Sequence, residues 1–482
     1  MDPSADTDDD RGADARDTAD AAERPDPFAA QPIDDEGLVN VSADLEALLE
    51  YGALERACDD WEADPDDRRK ELLCGKAMFF GEGFGALGIP APIFDFVGTA
   101  FPDITGEAFS AYGLVADPYS EEGRPLGFAP GAELEDAPGV ETLAFTCAAC
   151  HFARLPDGRF GVGAPAQAYD YGTHMLSLLL VPQTASPLFD ESAHDPAALE
   201  KVQDLVDALS ADWLLQLTLV WDLLPLLGAM DSLGAMDAAT EGQYASWNPG
   251  TMDFVIAPLP VDDEVHTISK ILPLWGIPSE EEEQAAGMPH AMLAWSGGAQ
   301  SLSTFLEGFV AIGGGDAAEW TPERLAPLEA YIRSLRAPAN PDASTDAELL
   351  DRGEAIFYDG CVSCHGAPRG GGDRVYSFEE IGTDDQMMLW GDPDLDGELC
   401  CGLGDLGSGE ATHGIKSPRL AGLWTFGRYL HNGSVDSLDA LFCRDVDRPT
   451  ITTPAYGDGG HTYGCELSDA DVSALVAWLE SK

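Results

Sequence analysis

Basic residues are scarce in this chain. Among its 482 residues, Lys and Arg together number 25 against 87 Asp and Glu, so the formal net charge is −62, and only six residues are Lys. A surface of that sign repels the phosphates of nucleic acids and the anionic head groups of lipids. The composition therefore excludes nucleic acid as a partner. It favours a basic protein partner or a medium of high salt, and solubility alone is the simpler explanation.

The sequence also lacks an uninterrupted apolar run of membrane-spanning length. The longest candidate, Trp213–Met230, contains Asp222 and Pro225. A lone acid is costly in lipid, so we expect a pair of buried helices there and no spanning membrane segment. The alternative is an apolar wall for a hydrophobic substrate.

No basic and apolar leader opens the sequence, and residues 1–40 are rich in Asp, Ala and Pro. Such a segment buries too little apolar surface to fold by itself. We expect a disordered acidic tether of the kind that follows a removed signal sequence or a lipid anchor.

Two copies of Cys-x-x-Cys-His dominate what the sequence does contain, at 147–151 and 361–365. This pentapeptide attaches c-type haem through two thioethers, and its His becomes an axial iron ligand. A thioredoxin-like pair or half of a zinc site is the alternative, but no matching CxxC or HxxxH partner is present. The sequence therefore predicts two covalent haem c groups and an extracytoplasmic, periplasmic location. The residues concerned are Cys147, Cys150, His151, Cys361, Cys364 and His365.

Six further cysteines lie outside the haem motifs. An oxidising compartment permits disulfides, and six cysteines allow fifteen pairings. Proximity along the chain favours Cys58–Cys74 and Cys443–Cys465, which leaves Cys400 and Cys401 as an adjacent pair or free.

Helix signals around each motif predict a mainly α-helical protein with two cytochrome c-like domains. In the second unit, 341–482, a capping box opens a helix before Cys361, and apolar residues at helical spacing follow Ser468. Gly353 would let these two helices cross closely. The first unit, 41–340, has an opening helix near residues 70–80, a closing helix after Thr321, and a long insertion between them.

Four short segments carry a resemblance to a known group of proteins. They are Leu272–Pro278 (LPLWGIP), Trp295–Gly298 (WSGG), Ile381–Asp384 (IGTD), and Tyr429–Gly433 (YLHNG) with Leu438 after it. In this order they resemble segments of the bacterial di-haem cytochrome c peroxidases and the rubber oxygenase-like c-type cytochromes. Residues 175–245 match neither group.

The resemblance implies an oxidoreductase that acts on peroxide or dioxygen at the N-terminal haem. The C-terminal haem would be the electron entry from a small redox protein, with Trp275 between the two haems. The Met that ligates the C-terminal haem in the peroxidases falls here at Asp445. The oxygenase-like relatives imply His431 as the sixth ligand instead, and His413, Met387 and Met388 are alternatives.

The resemblance also bears on the chemistry at the first haem. A peroxidase Glu that helps to break the O–O bond falls at Thr304, with Phe305 next. A pocket lined by Phe305 and lacking an acid suits dioxygen or an apolar substrate better than peroxide. His174 or Met175 is a candidate sixth ligand of that iron. If either binds, the protein is a non-catalytic di-haem electron carrier that docks a basic redox partner.

An acidic loop is the last feature with a candidate ligand. Asp392–Gly397 resembles the first half of a calcium-binding loop, but Leu403 stands where an EF-hand needs Glu. A full EF-hand is therefore excluded, and the alternatives are a calcium ion held in another way or an acidic surface loop.

Overall fold

The structure of the protein is a computed structural model. It describes residues 26–29, 38–86, 88–100, 102–133, 139–175, 177–178, 249–252, 268–288, 293–299, 301–316, 318–389, 413–444, 448 and 457–482.

Short and medium helices make up much of the described chain, and Asp or Ser caps many of them through a side-chain oxygen. The helices are α1 Leu45–Leu49, α2 Tyr51–Leu54, α3 Ala57–Glu62, α4 Arg68–Gly81, α5 Ala91–Ala100, α6 Pro102–Thr105, α7 Cys147–His151, α8 Glu280–Ala285, α9 Leu302–Ile312, α10 Pro322–Ser334, α11 Ala347–Gly360, α12 Val362–His365, α13 Phe378–Ile381, α14 Leu438–Leu441 and α15 Asp469–Leu479. Residues 171–175 are also helical.

Ten short strands form four small antiparallel sheets within the described ranges, in the orders β1-β6-β5, β2-β4-β3, β7-β8 and β10-β9. The strands are β1 Val41–Ser42, β2 Ile89–Pro90, β3 Phe128–Pro130, β4 Thr142–Phe145, β5 Phe152–Arg154, β6 Phe160–Val162, β7 Thr251–Met252, β8 Ser269–Lys270, β9 Val375–Ser377 and β10 Gly414–Lys416. The described chain is therefore a mixed helical and antiparallel β structure, whereas the sequence pattern predicted a mainly α-helical one. The two cytochrome c-like domains stay a prediction.

Two helix pairs cross at glycines. A Cβ on Gly353 of α11 would lie 2.2 Å from the carbonyl oxygen of Ala474 in α15. A Cβ on Gly75 of α4 would lie 2.0 Å from the carbonyl oxygen of Pro327 in α10. Only glycine allows backbones to approach so closely, because any side chain would occupy the space of the facing helix. The predicted close crossing at Gly353 is confirmed, and the first unit repeats it.

The buried side chains form one large cluster and several smaller ones. The large cluster joins both helix pairs and contains Trp275. A second cluster is rich in aromatic residues and includes Tyr169, Met175 and Phe128, with Cys150 packed against it. A third joins Trp295, Phe378, Met387 and Ile415. Cys147 and Cys361 pack against the large cluster, whereas Cys150 packs against the second.

Both disulfides predicted from proximity are confirmed. Cys58 is bonded to Cys74, and Cys443 is bonded to Cys465. The first joins α3 to α4. Cys400 and Cys401 lie outside the described residues.

Part of the expected N-terminal tether is packed against the second unit. The Pro27 carbonyl accepts a hydrogen bond from the Arg369 amide at 2.6 Å. The Phe28 ring makes edge contacts with Phe357 at 5.5 Å and Trp478 at 5.3 Å between ring centroids. These contacts concern residues 26–29 alone, and the disordered tether over 1–40 stays a prediction.

No helix among the described residues is both long and apolar enough to span a membrane. The apolar run 213–230 and the acidic loop 392–397 lie outside the described residues, so their predicted roles stay predictions.

Candidate haem sites

The first motif forms the short helix α7. The Thr146 hydroxyl caps it by accepting a hydrogen bond from the Ala148 amide at 3.3 Å. The carbonyl oxygens of Cys150 and His151 accept hydrogen bonds from Ala166 and Gly163, at 2.9 and 2.7 Å. The backbone of the motif is therefore held by the chain that follows it.

The second motif continues directly from α11 into α12. Cys361 ends α11 and begins α12, which closes at His365. The Nδ1–H of His365 donates a hydrogen bond to the Gly370 carbonyl at 2.7 Å. A metal-binding histidine usually uses one ring nitrogen in this way, which fixes the ring and leaves the other nitrogen for the metal. The arrangement suits His365 as an axial ligand through Nε2.

The thiols of both motifs are free, whereas the other described cysteines form disulfides. Burial raises the pKa of Cys147 and of Cys150 to about 12, and that of Cys361 to about 11. Redox-active CxxC pairs need a lowered thiol pKa, so these thiols do not suit disulfide exchange. Among the described residues, no three His, Cys, Asp or Glu side chains converge on a single metal ion. The zinc alternative therefore gains no support.

His461 faces His365. Their ring centroids lie 6.5 Å apart, with 66° between the ring planes. Two metal–imidazole bonds of about 2 Å, with about 1 Å from each nitrogen to its ring centre, place two trans imidazoles about 6 Å apart. Burial and the neighbouring His365 lower the pKa of His461 to about 4, so the ring is neutral and able to bind metal at pH 7. The space between these rings fits a six-coordinate iron.

Sequence reasoning missed His461, which reads as a loop residue. Its backbone has a positive φ of 45°. Its amide donates to the Ile381 carbonyl at 3.1 Å, and its Nδ1 is buried without a hydrogen-bond partner. No motif surrounds it, so only the folded chain brings it to His365.

His431, implied as the sixth ligand by the family resemblance, lies in a neighbouring environment. It is buried, its Nδ1 lies 3.5 Å from the Thr383 hydroxyl, and its ring contacts Trp295 and Phe378 at centroid distances of 6.4 and 6.3 Å. Met387 belongs to the same apolar cluster. His413 has a positive φ of 49°, and the side chain of Met388 lies outside the described residues. The described ring contacts thus favour His461 for the position opposite His365.

His174 is the matching candidate at the first motif. It is fully buried, and its Nδ1 lies 3.0 Å from the Tyr169 hydroxyl. Its Nε2 is buried without a hydrogen-bond partner. Burial lowers its pKa to about 3, so the ring is neutral. Five rings surround it, namely Phe94, Phe109, Tyr112, Phe128 and Tyr169.

An unpaired buried nitrogen costs about 1–3 kcal/mol, so the His174 Nε2 calls for a partner that the described residues do not supply. Iron or an iron-bound molecule fits that need. Cys150 and Met175 belong to the same aromatic cluster as the ring cage, and Cys150 Sγ lies 3.6 Å from Met252 Sδ. His151 is similar: burial lowers its pKa to about 4, and its Nδ1 has no partner. These residues fit a haem at the first motif.

Trp275 lies between the segments that carry the two motifs. It is fully buried, and its Nε1 donates to the Val162 carbonyl at 2.7 Å. The next residue, Gly163, is bonded to the His151 carbonyl. On the other side, the Trp275 carbonyl accepts from the Arg419 side chain at 3.1 Å. The relay role of Trp275 stays a prediction.

Phe305 lies on α9, where its ring contacts Phe309 at a centroid distance of 5.2 Å. It packs against the large core cluster, whereas the His174 cage belongs to the second cluster. The described contacts do not bring Phe305 to His174, and its catalytic role stays a prediction. The aromatic lining of the first site comes instead from α5, residues 107–112 and β3.

Comparisons with known proteins identify no family. No family model matches the chain. An uncharacterised protein, y4iJ of Sinorhizobium fredii, is 27% identical over a match that covers 24% of this chain and 30% of that protein. The match thus takes in less than a third of the length of this curated relative. A chain of hydrazine synthase from Kuenenia stuttgartiensis superposes with a TM-score of 0.26 and 18% identity, over 50% of this chain and 78% of that one. A score of this size does not establish a shared fold.

Proposed function

We propose that this chain is an exported di-haem c-type cytochrome that acts as an oxidoreductase. The observation that carries the proposal is the pairing of His461 with His365 at a spacing suited to one iron, beside free Cys361 and Cys364. Haem iron supplies one-electron transfer and, where a coordination position is open, binding of dioxygen or peroxide. Since haem is attached to CxxCH motifs outside the cytoplasm, the two motifs support a periplasmic or other extracytoplasmic location.

At the second motif, two histidines would hold the haem. His365 is oriented by the Gly370 carbonyl, and His461 is oriented by its backbone bond to Ile381. A haem held by these two neutral imidazoles would supply electron transfer without binding a substrate.

At the first motif, the residues favour a reaction centre. The cage around His174 excludes water, and Tyr169 holds the ring so that Nε2 is available. With the hydrogen on Nδ1, the neutral Nε2 of His174 would accept a hydrogen bond from a bound molecule or would hold the iron. The proposed oxidant is peroxide or dioxygen, and Trp275 is the proposed relay from the second site.

A non-catalytic electron carrier is the second candidate, and the same histidine favours it. If the unpaired Nε2 of His174 stays on the iron, both haems are closed and the protein only moves electrons. The acidic chain would then dock a small basic redox protein, with an association rate that falls as salt rises.

Spin state and ligand binding distinguish the candidates. We expect intact-mass measurement to find two covalent haems, and their absence would overturn both proposals. An enzyme predicts that reduction of the second haem, without any substitution, yields a high-spin first haem that binds CO. His174→Ala should open the first haem in both cases, so it tests the ligand assignment alone. If the wild-type protein stays fully low-spin and CO-free at every redox level, the electron-carrier function is correct.

Turnover then identifies the oxidant. Peroxide chemistry predicts peroxide-dependent oxidation of a reduced small basic cytochrome. Dioxygen chemistry predicts oxygen uptake with an unsaturated hydrocarbon and no added reductant. Trp275→Phe, which keeps an aromatic ring but loses the hydrogen bond to Val162, should slow electron transfer between the haems in either case.

A further inference from the structure

Three cations are buried together in a chain that has few of them. Lys416, Arg419 and Arg369 are 3%, 8% and 7% exposed. Lys416 and Arg419 line one small pocket, and the Arg369 carbonyl accepts a hydrogen bond from the amide of Leu420, the residue after Arg419, at 2.8 Å. Burying like charges together is unfavourable unless an anion accompanies them.

Carboxylates of the described residues neutralise only part of this charge. Arg369 forms an ion pair with Glu282 at 2.6 Å, but its Nε is buried without a partner. The side chain of Arg419 donates to the carbonyl oxygens of Trp275 and Pro273, at 3.1 and 3.0 Å. Carbonyl oxygens satisfy the hydrogen bonds but carry no net charge.

A small pocket opens beside these side chains. Lys416 and Arg419 line it, together with Ala367, Pro368, Gly371 and Gly372. The loop on one side of the pocket begins two residues after His365 and includes Gly370, whose carbonyl holds the His365 ring. A molecule in the pocket would therefore lie beside the loop that orients His365.

We propose that Lys416 and Arg419 bind a carboxylate in this pocket, and that the carboxylate is a propionate of the haem attached at Cys361 and Cys364. This assignment rests on the proposed di-haem function. Arg419 would also couple that haem edge to Trp275, because the same guanidinium holds the Trp275 carbonyl.

Lys270 provides a matched control. Like Lys416 it is buried, at 5% exposure, and it belongs to a short strand pair. Its Nζ donates to the Arg428 carbonyl at 2.8 Å and lies 4.6 Å from the centre of the Phe426 ring. An aromatic face and a carbonyl accommodate this cation without an anion. Replacing either lysine with methionine removes one buried charge at nearly constant size.

The experiment measures unfolding of K416M and K270M in two backgrounds, the holoprotein and the C361A/C364A variant, which cannot attach the second haem. In the holoprotein, K416M should lower the denaturation midpoint, because the propionate loses its partner. Without the second haem, K416M should raise the midpoint, because an unpaired buried cation is removed. K270M should change the midpoint in the same direction in both backgrounds.

Other outcomes are decisive too. If K416M lowers the midpoint in both backgrounds and added acetate stabilises only the proteins that retain Lys416, the site binds a free carboxylate, which overturns the propionate assignment. If K416M lowers the midpoint in both backgrounds and acetate has no effect, the partner of Lys416 is a carboxylate of the protein, which also overturns the proposal. A K416M midpoint that falls in neither background overturns the proposal as well.

A second measurement remains if C361A/C364A fails to fold. In the holoprotein, K416M should shift the midpoint potential of the second haem downward, because a nearby positive charge favours the reduced iron. K270M should shift it less, and equal shifts would overturn the proposal. Mass measurement separates the failures: missing haem refutes the proposed function, whereas two attached haems with no effect of K416M refute only the carboxylate site.

Discussion

Replacing His461 with alanine tests the arrangement at the second motif most directly. The 6.5 Å between the centres of the His365 and His461 rings leaves room for one iron and its two bonds. His461 needs no deprotonation to bind at neutral pH, since a pKa of about 4 leaves the neutral form in roughly 1,000-fold excess at pH 7. Alanine ends at Cβ and cannot reach the metal, so one axial position becomes vacant.

The expected result is a change in one haem of two. In His461→Ala, half of the total haem should convert from low spin to high spin, and CO binding by the fully reduced protein should rise by one molecule per chain. Optical and EPR spectra of the resting and reduced protein measure both effects. His431→Ala is the control: His431 is also buried, but its ring contacts are Trp295 and Phe378. If His431→Ala converts one haem to high spin and His461→Ala does not, the assignment from ring geometry is refuted.

Three further substitutions test packing and charge by urea denaturation. Gly353→Ala should lower the free energy of unfolding by about 1–3 kcal/mol, because its Cβ would meet the Ala474 carbonyl at 2.2 Å. Gly360→Ala is the control: open space surrounds this position, so the free energy of unfolding should rise by about 0.5–1 kcal/mol. Burial lowers the pKa of Lys270 to about 7, so the folded protein loses stability as the pH falls from about 10 to about 7. Lys270→Met should therefore raise the free energy of unfolding at pH 7, by an amount that shrinks toward pH 10. An increase that is the same at both pH values would contradict this. Phe28→Ala should cost about 1–2 kcal/mol and expose the chain near residue 26 to proteases, whereas unchanged resistance would count against the docked segment.

Local patterns predicted the features that depend on neighbours in the chain. The capping residues before α11 and α15, the glycine at their crossing and two disulfides between nearby cysteines all follow from short spacings. The small sheets were not predicted, because most of their strands are two or three residues long and show no alternation that could be recognised. The docking of Phe28 was missed for a related reason: one aromatic residue in an acidic segment has no pattern.

The site residues also divide into those that a local pattern predicts and those that only the fold brings together. The six motif residues were evident because haem attachment requires thiols and a ligand at a set spacing. The relay position of Trp275 was suggested by resemblance, and the fold places that ring between the two motif-bearing segments. The cage around His174 draws on α5, residues 107–112 and β3, which lie far apart in the chain. No sequence pattern marks His461, which lies 96 positions beyond His365, as a ligand.

The two attachment motifs, the acidic charge and the helices that flank the second motif could be predicted, because each depends on residue type and on spacings of a few residues. The fold was needed to find which histidine contacts His365, which nitrogen of His174 has no partner among the described residues, and which cations share a buried pocket. Ligand pairs and charge pairs depend on distances of a few ångströms between distant segments. Packing sets those distances, and the order of residues along the chain does not display them.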